Sequence, residues 1–136
     1  MTKIIGITGG IASGKSTVVA EIKKHGYQVI DADRVVHELQ AKGGKLYQAL
    51  CNWFGSEILQ ENGELDRKKL GQLIFSSKDM LEKSSHLQNG IIREELARRR
   101  DELAKTQDVF FMDIPLLIEH DYMEWFDDIW LVHLDE

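Results

Sequence analysis

Gly9-Gly10-Ile11-Ala12-Ser13-Gly14-Lys15-Ser16 satisfies the spacing GxxxxGK[ST], and each residue type in it answers a need of a polyphosphate ligand. Glycines let successive backbone N–H groups turn inward around phosphate oxygens, and a helix beginning near Lys15 adds roughly half a positive charge at its N-terminus. Lys15 supplies a cation for the β and γ phosphates of ATP, the Ser16 hydroxyl an oxygen for Mg²⁺, and Thr17 a contact to the α phosphate. Gly9, Gly10, Ala12, Ser13, Gly14, Lys15, Ser16 and Thr17 are therefore the expected nucleotide-binding residues, with Lys15 also acting in catalysis.

Three carboxylates accompany the loop. Asp31 and Asp33 follow an apolar run as Asp-Ala-Asp, and residues two apart in extended backbone point to one side, so both are expected to face one site. Asp113 ends the run Phe110-Phe111-Met112-Asp113 and resembles a Walker B carboxylate, a candidate Mg²⁺ ligand. A carboxylate beside an acceptor hydroxyl can orient it and take its proton, worth about 10² to 10⁴ in rate. Asp33 is the expected base; Asp31 could instead hold a Mg²⁺ water, and the residues alone leave that division open. The other reading of Asp33 is a cap on a helix starting near Arg34. Ile114 follows Asp113 where hydrolytic motors place glutamate, and no asparagine precedes a lysine, which removes the guanine-reading NKxD motif. What remains is a kinase acting on a small acceptor.

The elements that must position these residues can be read from hydrophobic spacing. Ile4, Ile5 and Ile7 crowd within Lys3 to Thr8 as in a strand covered on both faces, and Val18, Val19 and Ile22 recur at helical spacing from Lys15 to Lys24, with Gly26 at the helix end. Tyr27 to Ile30 completes a βαβ unit with parallel strands. Further strands are expected at Val109 to Met112 and Ile129 to Leu134, so the loop, the Asp-Ala-Asp and Asp113 all fall at carboxyl ends of strands, where parallel sheets bind ligands. The expected fold is α/β, a P-loop NTPase-type three-layer fold with a parallel sheet and an inserted all-helical lobe. The nucleotide core is expected at about 1–33 and 108–136, with the helical lobe at about 34–107 between them.

Within the lobe, Leu46, Leu50, Trp53 and Phe54 read as a core stripe, Asn62-Gly63 as a turn, and Asp66 as the N-cap of a helix through Leu70, Leu73 and Ile74. Ile91 to Leu103 reads as a charged helix whose Arg93, Arg98, Arg99 and Arg100 form a solvated face; the alternative is that some hold substrate phosphates.

The chain has 136 residues with 43% apolar and 29% charged, which predicts one ordinary folded domain. Its 17 basic against 23 acidic residues argue against a nucleic-acid partner. The lone Cys51 between apolar neighbours reads as a buried packing residue in a reducing compartment. The opening segment is broken by Gly6 and is not a signal peptide, and no apolar run reaches membrane-spanning length, so a cytoplasmic location is expected; the oligomeric state is not readable.

The ordered set ITGGIASGKST, VIDADRVVH, GELDRKKLGQLIF and DIPLLIE resembles the dephospho-coenzyme A kinase family over nearly the whole chain. The resemblance implies ATP-dependent, Mg²⁺-assisted phosphorylation of the ribose 3′-hydroxyl of dephospho-CoA, the last step of coenzyme A synthesis. It implies that the helical lobe binds the acceptor, and it places the nucleotide loop on Ala12 to Thr17, the base on Asp33, and acceptor contacts on Asp31, His37, Pro115, Leu116, Leu117 and Glu119; the other reading of His37 is a helix-surface histidine. Around His86 the chain reads SSHLQNGII without the proline that members often carry, so no contact is carried over there. The resemblance also puts a lid arginine and an adenine-holding segment beyond Glu136, so anion binding with little phosphoryl transfer is expected of these residues alone. The rivals are another P-loop small-molecule kinase, such as a shikimate kinase, and a nucleotide-binding protein without catalysis. The former would need a glycine-rich segment where this chain has DIPLLIE.

Overall fold

The computed structural model describes residues 2–9, 14–115, 117 and 122–132. Four strands, β1 (Lys3–Gly9), β2 (Gln28–Asp31), β3 (Val109–Asp113) and β4 (Asp128–Val132), make one sheet in the order β2-β3-β1-β4 with every pairing parallel. The helices are α1 (Lys15–Lys24), α2 (Ala32–Gln40), α3 (Lys45–Phe54), α4 (Arg67–Ile74) and α5 (Lys78–Ala104). This is the expected α/β, P-loop NTPase-type fold. The first two strands are parallel but not adjacent, because β3 lies between them. That insertion decides the site, since it sets Asp113 between the loop after β1 and the Asp-Ala-Asp after β2. The last expected strand residues, beyond Val132, lie outside the described residues.

The chain divides into two compact units, Met1–Asp33 with Ala97–Glu136, and Arg34–Leu96. The second unit ends within α5, so the sheet's unit takes up the chain again at Ala97. The cause is local: the Thr2 hydroxyl donates to the carbonyls of Ala104 and Gln107 at 2.9 and 3.0 Å, and Arg100 donates to the Trp125 carbonyl at 3.1 Å. The last turns of α5 thereby belong to the sheet's unit. Arg100, at 5.8 Å from the Trp125 ring centre, serves structure there and not a solvated face.

In the first unit Ile5, Ile7, Ile22 and Phe111 form a buried cluster, joined by Val18 and Val19 of α1. Strand alternation sends Ile5 and Ile7 toward α1 and Gly6 the other way. A Cβ on Gly6 would stand 2.7 Å from Leu117 Cδ1 and 2.9 Å from Phe126 Cδ2, so only glycine lets these two side chains close over β1. Helix α1 stops at Gly26, whose φ of +89° suits glycine; Gly26 N–H donates to the Lys23 carbonyl and Tyr27 N–H to that of Ile22, a Schellman ending.

In the second unit Leu46, Leu50, Ile58, Leu65 and Leu70 are buried, whereas Trp53, expected in the core, is exposed and stacks on Phe54 at 4.7 Å. Cys51 is only partly buried, one helical turn after Tyr47. Asp66 caps α4 as expected, its Oδ1 accepting from the N–H groups of Lys68 and Lys69.

Candidate functional site

Helix α1 begins without help. Gly14 occupies its N-cap with φ +88°, no side chain caps the first turn, and that turn holds no acidic residue. Thr17 and Val18 N–H donate to the Gly14 carbonyl, and the N–H groups of Lys15 and Ser16, with the positive helix end, have no capping side chain, a setting that suits an anion. Ser16 and Thr17 are exposed there, while Lys15 is half-buried.

Lys15 turns back to the sheet. Its Nζ stands 2.8 Å from Asp113 Oδ1, with only 16% and 13% of the two side chains exposed. The contact is a shielded ion pair, and among the described residues Oδ1 has no other polar partner. Burial pushes the Asp113 carboxyl above the ordinary carboxylate range; Lys15 pulls it down, and the charges of Asp31 and Asp33 push it up again, for a net upward shift. Asp31 is the register partner of Asp113 on the neighbouring strand.

The Asp-Ala-Asp is not built as strand alternation predicts. Helix α2 starts at Ala32, so Asp31 ends a strand and Asp33 lies in a first helical turn. The Asp31 Oδ1 accepts from Asp33 N–H at 3.0 Å, which is N-cap geometry. Capping, considered for Asp33, is thus done by Asp31, and the exposed Asp33 carboxylate is not spent on it. Lys15, Asp31, Asp33 and Asp113 come together in the first unit because three parallel strands end side by side.

The second unit carries a separate pocket of about 170 Å³ lined by His37, Gln40, Lys42, Glu64, Leu65 and Arg67. The Asp66 cap holds Arg67 at the start of α4, and its Nη2 lies 3.3 Å from His37 Nδ1. Guanidinium can only donate, so Nδ1 accepts and this contact uses the Nε2–H tautomer of His37. Lys42 Nζ donates to the Asn62 carbonyl at 3.4 Å, across the 62–63 turn. Sequence reasoning gave Arg67 and Lys42 no role; the only signal was that Arg67 directly follows a good N-cap.

A family model described as dephospho-CoA kinase matches residues 3–136. The chain belongs to the dephospho-CoA kinase family. Dephospho-CoA kinases phosphorylate dephospho-CoA with ATP in coenzyme A biosynthesis. A dephospho-CoA kinase of Streptococcus mutans is 70% identical over 132 residues, covering 97% of this chain and 67% of that protein. One from Streptococcus agalactiae serotype V is 65% identical over 136 residues, all of this chain and 70% of that protein. Among solved structures, the dephospho-CoA kinase of Campylobacter jejuni superposes with TM-score 0.76 at 25% identity, over 96% of this chain and 66% of that one. A Thermus thermophilus structure gives 0.73 at 31% identity, over 97% and 65%. The chain thus spans about two thirds of the length of these relatives.

Of the residues expected in a dephospho-CoA kinase site, Gly10, Ala12, Ser13, Leu116 and Glu119 lie outside the described residues. Gly9 ends β1, and Gly14 to Thr17 open α1. Pro115 is half-buried just past β3. Leu117, expected to touch the acceptor, is fully buried with its side chain against Gly6, so it serves the core. His37 belongs to the second unit with Arg67. Among the described residues no helix is long and apolar enough to cross a membrane.

Proposed function

We propose that the loop and the three carboxylates carry the dephospho-CoA kinase reaction as follows. Gly9, Gly10, Ala12, Ser13, Gly14, Ser16 and Thr17 wrap the phosphates of ATP with backbone N–H groups and hydroxyls, and Lys15 meets the β and γ phosphates. Asp33, exposed and free of capping duty, takes the proton of the ribose 3′-hydroxyl. The 3′-oxygen then bonds to the γ phosphorus as the bridging P–O bond to the β phosphate breaks, giving ADP and coenzyme A. Lys15 offsets the charge that builds on the leaving oxygens.

Mg²⁺ fits the residues present. Asp113 Oδ1 is a buried carboxylate oxygen without a hydrogen bond among the described residues, and Ser16 offers a hydroxyl at the start of α1. No three His, Cys, Asp or Glu among the described residues are grouped to hold a metal by themselves, as suits an ion that takes most ligands from phosphates and water. Ser16 and Asp113, with Asp31 through water, would hold it, and it would supply charge neutralisation of the phosphates.

On the acceptor side we assign His37 and Pro115 as contacts and add Arg67 and Lys42, whose charges suit the diphosphate of dephospho-CoA. The reaction is assigned to the cytoplasm. The observation that carries this reading is the Lys15–Asp113 pair at the uncapped start of α1. Its test is ADP release by the chain extended to the length of its relatives, with ATP, Mg²⁺ and dephospho-CoA, and with the new phosphate located by mass spectrometry of the product. Transfer to the 3′-position supports the assignment. Nucleotide binding without transfer would leave a binding protein in this form.

A further inference from the structure

Lys15 is the cation that a nucleotide must recruit, yet in the free protein it already has a partner. Its Nζ lies 2.8 Å from a carboxylate oxygen in a place where both side chains are more than four-fifths shielded from water. Shielding matters because charges screened by protein interact more strongly than the same charges at the surface. Asp31 stands in register with Asp113 on the neighbouring strand, and Asp33 follows two residues later, so further acidic groups adjoin the carboxylate that holds Lys15. A metal-free triphosphate, carrying about four negative charges, would have to draw Lys15 away from Asp113 and leave a buried carboxylate without a counter-charge. It would also bring its own charge toward all three carboxylates. Uncompensated buried charge is the costly outcome in such exchanges.

We propose that Asp113 is a specificity-determining residue: its hold on Lys15 makes the loop reject metal-free nucleotide and accept the magnesium complex, which brings a replacement counter-charge for the carboxylate. This rests on reading the site as the nucleotide site. Asp113 then has a role before any chemistry, and selection arises from an ion pair inside the protein instead of from a nucleotide contact. The loop backbone alone could not supply it, since N–H donors bind free and metal-bound phosphates alike.

Calorimetric titration of ATP into the 136-residue chain, in EDTA and in excess MgCl₂, tests this with three proteins. Wild type should bind metal-free ATP at least about 10-fold more weakly than the magnesium complex. Asp113→Asn should bind metal-free ATP about 10-fold more tightly than wild type and the magnesium complex no more tightly, so the preference collapses. Asp128→Asn removes an equal charge from the surface pair with Lys3, 3.0 Å away and half-exposed, and should shift metal-free binding less than about two-fold. A merely structural role for Asp113 would weaken both arms together and overturn the proposal. So would equal wild-type affinities in EDTA and MgCl₂, a result that needs no variant to fold, or an Asp128→Asn effect as large as that of Asp113→Asn. Wild type that binds the magnesium complex while Asp113→Asn leaves metal-free binding unchanged sinks the inference alone. Wild type that binds neither form sinks the nucleotide-site reading and the inference with it.

Discussion

The two units solve the problem of holding negative charge in opposite ways. In the sheet's unit the donors are backbone groups at an uncapped helix start, and the one lysine is shielded and tied to Asp113. In the second unit the donors are side chains, Arg67, Lys42 and His37, exposed around a small pocket that Glu64 also lines. The first arrangement is shielded and weakly screened, which suits charge that moves during a reaction; the second is exposed and screened, which suits grip. Catalytic effects should therefore concentrate in the first unit and affinity effects in the second.

The strongest way to break that contrast is Lys15→Ala in a chain extended to the length of its relatives, which should lower kcat by about 10² to 10³-fold; Lys15 lies outside the apolar cluster, so the fold should survive, with some stability lost where Asp113 is left without its counter-charge. Near-normal turnover would remove Lys15 from the mechanism. Asp33→Asn should lower kcat by about 10²-fold while the Kd for ATP moves less than about two-fold, as for a group that serves the acceptor in the transition state. A matching loss of ATP affinity would make Asp33 a metal ligand instead.

A test of the sheet's packing comes from Gly6→Ala. The new methyl meets Leu117 and Phe126, and chemical denaturation should show a loss of about 1 to 3 kcal/mol, as overpacking usually costs. No loss would mean that the two side chains yield freely. In the second unit, Arg67→Ala should raise KM for dephospho-CoA about 5- to 10-fold and leave kcat nearly unchanged, in line with one exposed charge-assisted contact. An effect on kcat would erase the distinction between the units.

The smallest expected effect concerns pH. The folded-state pKa of Asp113 is raised, so its contribution to stability is fully present below the unfolded carboxylate pKa near 4 and is lost as pH rises through the folded value. Asp113→Asn lacks that loss. In metal-free buffer its melting temperature relative to wild type should climb between about pH 4 and pH 7. A difference that falls with pH would show that the ion pair with Lys15 outweighs burial.

Local rules determined much of this molecule before any packing was known. The GxxxxGK[ST] spacing needs only one loop and one helix start, so Lys15 and Ser16 were legible from neighbours along the chain, as were α1 from its 3.6-residue spacing and the Asp66 cap from its own hydrogen bonds. Tertiary structure decided the rest, because partners distant in the chain carry no local mark. Strand order put β3 between β1 and β2, which is why Asp113 reaches Lys15. The start of α2 at Ala32, in place of extended backbone, gave capping to Asp31 and left the Asp33 carboxylate exposed. Leu117 left the expected acceptor set for the core because a side-chain-free Gly6 stood opposite it, and Arg67 met His37 across thirty residues of sequence. Periodicity reports which face of an element is apolar; only packing says which charges that burial brings within reach of one another.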